Sequence, residues 1–285
     1  MERKIVHIVG TGTIGEPLIG LLCDYRDQLG IDGITFHKNT ALVGDRSKVL
    51  DLMERGARLA VDEEKIHDFK KLNMDPDFET EEAIKRAMVV IDCTPRGIGH
   101  VNKNLYYEKF TGDVKGFLAQ GSEDGFGKKY ARGINDQALD ANDQFIQIVS
   151  CNTHNVSCIT DALAVNNDPN NLVEGRYVCI RRANDLSQET GFIPSPQVGT
   201  HTDEKYGSHH AKDSAALFHT LGMDLNLFSS SMKVNSQYMH ILWFNLQVKE
   251  PTSITKIKER LYANERVAMT TKDLTSTVFS FGRDH

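Results

Sequence analysis

The chain has 285 residues, 40% of them hydrophobic and 25% charged, with a formal net charge of −6. That length holds one large or two medium domains, and the acidic balance gives no electrostatic case for nucleic acid or an anionic membrane as a partner. No apolar run approaches the ~20 residues needed to span a bilayer. The opening "MERKIVHIVGTG" runs straight into a strand, without the apolar region and cleavage site of a signal peptide. Five cysteines at irregular spacing point to free thiols in a reducing compartment, and so to the cytoplasm.

The first half alternates strand and helix signals. Residues 4–9 read as a buried strand and 13–25 as a helix with Ile14, Leu18, Leu21 and Leu22 on its apolar side. "GITFHK" is a second strand, "RSKVLDLMERG" a helix stopped at Gly56, "ARLAVD" a short strand and "EEKIHDFKKL" an exposed amphipathic helix. "EEAIKRA" leads into the apolar run "MVVIDCTP", and "GFLAQ" and "QFIQIVS" complete the strands. This alternation predicts a parallel sheet with crossover helices. Beyond residue 149 the pattern changes. "GRYVCIRR", "MKVNS", "QYMHILWFNLQVK" and "RVAMTT" read as strands, with Tyr238, His240, Leu242, Phe244 and Leu246 on one face, and "HAKDSAALFHTL" and "SITKIKERLY" as helices. The expected fold class is α/β. A Rossmann dinucleotide-binding domain occupies 1–149, and an α+β catalytic domain with a mixed or antiparallel sheet occupies 150–285.

"VGTGTIG" places Gly10, Gly12 and Gly15 between a strand and a helix. The first glycine permits the tight turn, the second lets backbone approach a pyrophosphate, and the third allows close helix–strand packing. The helix N-terminus then offers N–H groups to the phosphates. An NAD site usually carries an acid at the end of the second strand, but this strand ends Phe36-His37-Lys38-Asn39. Lys38 there suits the 2′-phosphate of NADP, against the bland alternative of a solvated surface lysine. The expected cofactor is NADP by preference, or NAD.

"VSCNTHNVSC" raises a second question, because it holds two thiols. Cys151 falls at a strand-to-helix junction, where the dipole and free N–H groups stabilise a thiolate. Asn152 and Thr153 follow, and backbone and amide there can donate to an oxyanion. A thiolate used with a nicotinamide cofactor suggests aldehyde oxidation through a thioester, with histidine as general base. The bland alternative for a single cysteine is a small buried hydrophobe. Cys158 is two turns further along the same face and reads as packing, as do Cys23, Cys93 and Cys179. His154 either tunes the thiolate or caps the first turn; the sequence leaves both open.

In order along the chain, "GTGTIG", "DCTPRGIGHVNK", "VSCNT", "IRRAND" and "SHHAKD" resemble the archaeal-type (type II) glyceraldehyde-3-phosphate dehydrogenases. The resemblance implies a Rossmann domain, a catalytic domain, a homotetramer, and NADP or NAD. It implies oxidation of glyceraldehyde 3-phosphate with inorganic phosphate to 1,3-bisphosphoglycerate, without nucleic acid, membrane or metal. By position, Cys151 matches the nucleophile and His240 the general base. Ser150, Asn152, Thr153, Arg181, His209 and His210 match the substrate site. Thr13 and Ile14 match the cofactor turn; Thr94, Pro95, Gly121, Ser122 and Arg182 match other cofactor positions. Adjacent arginines at a strand end suit a dianion.

The departures are specific. "QGSEDG" stands where the family has a "QGGEK"-like loop, so Ser122 replaces a glycine. His154-Asn155 follow "CNT", and the end at "FSFGRDH" falls short of the family's closing segment, as in a shortened or compact divergent member. Two alternatives follow: a related aldehyde or semialdehyde dehydrogenase with another acyl substrate, and an inactive cofactor-binding homologue.

Overall fold

The structure is a computed structural model and describes residues 4–165, 168–185, 188 and 190–284. The chain forms two compact units. The first runs to Lys128 and includes Asp140–Ile148; the second comprises Lys129–Leu139 and everything from Val149 on.

The first unit is built in chain order from β1 (Ile5–Val9), α1 (Gly15–Asp24), α2 (Arg26–Leu29), β2 (Gly33–His37), α3 (Arg46–Glu54), β3 (Arg58–Val61), α4 (Ile66–Lys71), β4 (Phe78–Glu79), α5 (Thr80–Arg86), β5 (Val89–Asp92), α6 (Ile98–Leu105), β6 (Gly116–Gln120) and β8 (Phe145–Ile148), while of β7 (Lys128–Tyr130) only Lys128 belongs to it. The strand order is β4-β3-β2-β1-β5-β6-β8-β7, and β1 pairs in parallel with both β2 and β5. Every residue of β1 is buried, as expected of a central strand covered on both faces. The order reverses beside β1, and there the carboxyl ends of the strands leave a crevice for a ligand.

Strands β1, β2, β3, β6 and β8 fall within two residues of where the apolar runs place them, and β5 ends at Asp92, three residues before Pro95. Three details differ. Helix α1 starts at Gly15, and its buried positions are Gly15, Ile19 and Gly20, so Ile14 and Leu21 are exposed instead of facing the core. In 63–72 a 3-10 turn precedes α4, and Phe69 is fully buried. Strand β4 and helix α6 carry too little apolar signal to be read from sequence.

The second unit contains α7 (Cys151–Thr160) with a π-helical turn at Asp161–Val165, β9 (Leu172–Arg181), β10 (Gln197–Val198), α8 (His209–His219), β11 (Leu227–Lys233), β12 (Ile241–Val248), α9 (Ile254–Ala263) and α10 (Thr275–Asp284). Its sheet, ordered β10-β11-β9-β12, is mixed: β9 pairs in parallel with β11 and antiparallel with β12. Helices α7 and α8 meet at a buried Ser157–Ser214 hydroxyl contact of 2.8 Å. Such small side chains let helix backbones approach closely.

Of the predicted face of β12, Leu242 and Leu246 pack on the core, but Phe244 is exposed. However, Tyr238 and His240 precede the strand instead of lying within it. "RVAMTT" is not a strand: residues 267–273 carry no regular structure, and their alternation comes from an exposed segment. Among the described residues no helix is long and apolar enough to cross a membrane.

Candidate active site

The glycine turn follows β1 at its carboxyl end. Gly10 has φ +97°, and its N–H donates to the His37 carbonyl at 3.2 Å. A Cβ on Gly15 would stand 1.9 Å from the Gly10 oxygen, so α1 sits directly on the turn. A Cβ on Gly12 would meet no atom within 4 Å, and the N-cap position, Ile14, makes no side-chain cap. Within α1 the Glu16 N–H donates to the Gly12 carbonyl at 3.1 Å and Pro17 has no N–H, so the backbone open to a phosphate is that of the turn itself, beside Gly12.

Thr94 lies beside the turn: the Gly10 Cβ position is 3.5 Å from Thr94 N. Asp92, at the end of β5, organises this loop. Its carboxylate accepts from Thr94 N at 2.9 Å, from the Thr94 hydroxyl, from Asn102 Nδ2 at 2.8 Å and from the Tyr107 hydroxyl at 2.6 Å. Burial and the Asp92 charge push the Tyr107 hydroxyl well above its usual range. Pro95 continues the loop toward α6, and the Gly97 N–H at its end donates to Glu123 Oε1. Glu123 is almost wholly buried, and its Oε2 makes no hydrogen bond. Its neighbours Gly121 and Ser122 follow β6; Gly121 has φ +81°, donates to the Ile148 carbonyl at 2.8 Å and accepts from Gln147 at 3.1 Å. Asp92 and Glu123 escaped the sequence reading. A carboxylate closing an apolar strand just before a Thr-Pro turn is the signal that marks Asp92.

Lys38 is neither a solvated lysine nor an uncommitted cation. It is buried, and its Nζ bonds Asp45 Oδ2 at 2.5 Å. The lysine hydrogen bond, offset by burial, holds the Asp45 carboxyl below the usual range. A 2′-phosphate at this position competes with Asp45 for the ammonium.

The second unit gathers the thiol and the basic residues. Cys151 is the first residue of α7 and is exposed. Ser150 is the N-cap: its hydroxyl accepts from Thr153 N at 3.4 Å and meets the Thr153 hydroxyl at 2.9 Å. Ser150 and Thr153, expected at the substrate, thus direct their hydroxyls at each other, and Thr153 is fully buried. Asn152 is also buried, and its Oδ1 has no hydrogen-bond partner. The open question about His154 is answered by geometry. Its Nδ1 lies 3.1 Å from the Val149 carbonyl and 3.3 Å from that of Ser150, which ties the ring to the entrance of the helix. Cys158 is half-buried and lines, with His154, Arg132 and Arg266, a cavity of about 450 Å³. It is thus not enclosed in the core as the sequence suggests. Burial, its largest cause, raises its thiol pKa.

Cys179 is buried in β9. Burial pushes its thiol up to about 12, while the Arg181 charge pulls it down and Cys151 pushes it further up. Arg181 ends β9 and is exposed; Arg182 bonds Asp185. His210 is buried and contacts the Ser208 hydroxyl through Nδ1 at 3.0 Å, with Ser208 in turn 2.7 Å from Ser229. The His209 and His210 rings are 3.9 Å apart. Desolvation, then His209, Arg181 and His240, bring His210 down to about 3.

His240 accepts the Arg182 backbone N–H on Nδ1 at 3.1 Å. Desolvation, then Arg182 and Arg181, lower its pKa to about 4. The ring is therefore neutral at pH 7, with its proton on Nε2. In this geometry it offers an N–H donor, where the sequence suggested a base. Helix α7, which opens with Cys151, packs on α8, which opens with His209 and His210, and on β9, which ends at Arg181. Lys129, bonded to the buried Asp213 of α8 at 2.9 Å, was not anticipated.

The first unit has a Rossmann-like fold, and the second presents a helix-terminal cysteine with histidines and arginines on a mixed sheet. No family model matches the chain. The resemblance to archaeal-type glyceraldehyde-3-phosphate dehydrogenases extends over most of its length. The chain is 23% identical to glyceraldehyde-3-phosphate dehydrogenase 1 of Methanosarcina barkeri, over all of this chain and 79% of that protein. It is 29% identical to the enzyme of Methanobacterium formicicum, over 93% and 74% respectively. It is 26% identical to glyceraldehyde-3-phosphate dehydrogenase 2 of Methanosarcina acetivorans, over 97% and 77%.

Proposed function

We propose that the chain is a phosphorylating, NAD(P)-dependent glyceraldehyde-3-phosphate dehydrogenase of the archaeal type, acting in the cytoplasm. The observation that carries this reading is the exposed Cys151 at the N-terminus of a capped helix that packs on α8, opening with His209 and His210, and on β9, ending at Arg181.

The proposed chemistry begins with the deprotonated sulfur of Cys151 at the first position of α7. The sulfur attacks the aldehyde carbon, and the carbonyl electron pair moves to oxygen, giving a tetrahedral alkoxide on Cys151. The neutral His240 donates Nε2–H to that oxygen, and Arg181 and His209 hold the substrate phosphate. A nicotinamide, when bound, supplies the hydride acceptor. Collapse of the alkoxide leaves a thioester on Cys151, and inorganic phosphate attacks it to release the acyl phosphate and the thiolate. Because the sulfur enters as thiolate, the hydride step needs a hydrogen-bond donor at oxygen and no base. For His240 to act as a base at Nδ1, it must give up the Arg182 amide.

Gly10, Gly12, Gly15, Thr13 and Ile14 are proposed to hold the pyrophosphate, and Thr94, Pro95, Gly121, Ser122 and Arg182 to serve the cofactor. Lys38, released from Asp45, would meet the 2′-phosphate of NADP. Homotetramer formation is proposed through the outer face of the second unit's sheet. There Ile241 and Trp243 are exposed and pair in register with Ile180 and Val178, an apolar surface of the kind that marks assembly.

The test is reduction of NADP and NAD with glyceraldehyde 3-phosphate, with and without phosphate or arsenate. Phosphate-dependent turnover is expected. Steady turnover without either anion favours a related aldehyde dehydrogenase, and no turnover with any aldehyde favours an inactive homologue.

A further inference from the structure

The amino edge of the first unit's sheet carries a cavity of about 520 Å³, at the opposite end of the strands from Gly10 and Thr94. The first residues of β1, β2, β3 and β4 line it, together with Arg26, Asp32 and Arg86. Its three guanidiniums come from separate elements that each bring the chain to this edge. Arg26 opens α2 shortly before β2, Arg58 opens β3, and Arg86 ends α5 shortly before β5.

The balance of charge in this cavity is positive. Among the described residues Asp32 is the one lining carboxylate, against three arginines, and its Oδ2 already accepts the Lys4 backbone N–H at 2.7 Å. Arg26 faces Asp27 at 3.5 Å and Arg86 faces Glu82 at 3.0 Å, but neither carboxylate lines the cavity and both are more than half exposed. Exposed pairs of this kind hold weakly and are screened by salt. The Arg86 guanidinium also lies over the Phe78 ring, 4.4 Å from its centre, which fixes its plane without neutralising it. Planar guanidiniums on several sides of a cleft match the oxygens of an oxyanion bidentately. The volume exceeds that of a single inorganic anion and falls in the range of small-molecule sites.

We propose that this cavity binds a small molecule carrying at least two negative charges on phosphoryl oxygens, separately from the cofactor and the aldehyde. It is independent of the proposed catalytic reading, because no residue of the glycine turn or of the Cys151 group takes part.

The experiment is calorimetric titration of pyrophosphate, with citrate as the carboxylate counterpart, into the wild-type chain, the Arg58→Ala/Arg86→Ala variant and the Arg181→Ala variant. Pyrophosphate binding is expected to weaken at least about tenfold in the Arg58/Arg86 variant, to persist in the Arg181 variant, and to weaken further between 50 and 200 mM salt. NADP titrated into the same variants should bind as to wild type. Should the double variant lose its native circular dichroism, Arg58→Gln alone, at an exposed first strand position, gives the same readout with a smaller loss. Pyrophosphate binding unchanged by the Arg58 substitutions, or abolished by Arg181→Ala alone, overturns the proposal, and tighter binding of citrate overturns the phosphoryl assignment.

Discussion

Two strand-to-helix turns in this chain solve opposite problems. After β1 the turn is glycine: no side chain caps α1, Gly12 faces open space, and Gly15 lets the helix sit on the turn. At α7 the turn is built from side chains. Ser150 and Thr153 close the N-terminus on each other, His154 ties its ring to the preceding carbonyls, and Cys151 is held at the first helical position. A turn left open at Gly12 lets a ligand approach the backbone. A capped one holds the side chain at the first helical position in place, so the same local motif can either expose backbone or fix a side chain.

The sharpest way to break this contrast is Cys151→Ser. We expect aldehyde oxidation to fall by at least ~10³-fold, with cofactor binding unchanged in a fluorescence titration. Activity surviving the change would remove the thiolate from the account. Next in size are two substitutions within the glycine turn. Gly15→Ala places a methyl where the Gly10 carbonyl stands, and should lower stability by about 1–3 kcal/mol in a denaturant melt. Gly12→Ala should leave stability nearly unchanged yet weaken the cofactor by more than about tenfold, since only the ligand approaches there. Equal effects of the two would contradict the assignment of roles.

Proton linkage distinguishes the histidines more gently. His7 in the first unit and His210 in the second are held down to about 3, and His240 to about 4, in each case chiefly by burial. The unfolded chain takes up these protons near pH 6.5, whereas the native chain refuses them until pH 3–4. Stability should therefore fall as pH drops from about 6.5 toward 4, and a melting series over that range checks it. Over the same window kcat should show no break near 6.5 from His240. A break that disappears in His240→Gln would contradict its neutral state.

Smaller still is the Ser150 cap: Ser150→Ala should cost about 1 kcal/mol and reduce kcat while the cofactor KM stays constant. The smallest expected effect is Asp45→Asn, which releases Lys38 and should shift the NADP-to-NAD preference a few-fold toward NADP. Movement toward NAD would show that Asp45, and not Lys38, reads the ribose.

Much of the fold was legible because continuous apolar runs mark central parallel strands, and glycines at fixed spacing mark a turn that backbone geometry demands. Cys151 was legible for the same reason, lying where a strand pattern gives way to a helix. Other features depend on contacts that periodicity does not encode. Ile14 and Leu21 look like a core face but are exposed, because Gly15, Ile19 and Gly20 form the packed side of α1. The mutual cap of Ser150 and Thr153, the Lys38–Asp45 pair and the Asp92 network are each fixed by where a hydroxyl or carboxylate turns. "RVAMTT" misled because alternation also occurs in exposed chain that never finds a partner strand.

The most direct test of the central claim is a rapid-mixing experiment with glyceraldehyde 3-phosphate and NADP in the absence of phosphate. A burst of about one reduced cofactor per chain is predicted, followed by arrest until phosphate is added, because the thioester on Cys151 waits for its acceptor. Continuous reduction without phosphate, or a burst of the same size in the Cys151→Ser variant, would contradict it.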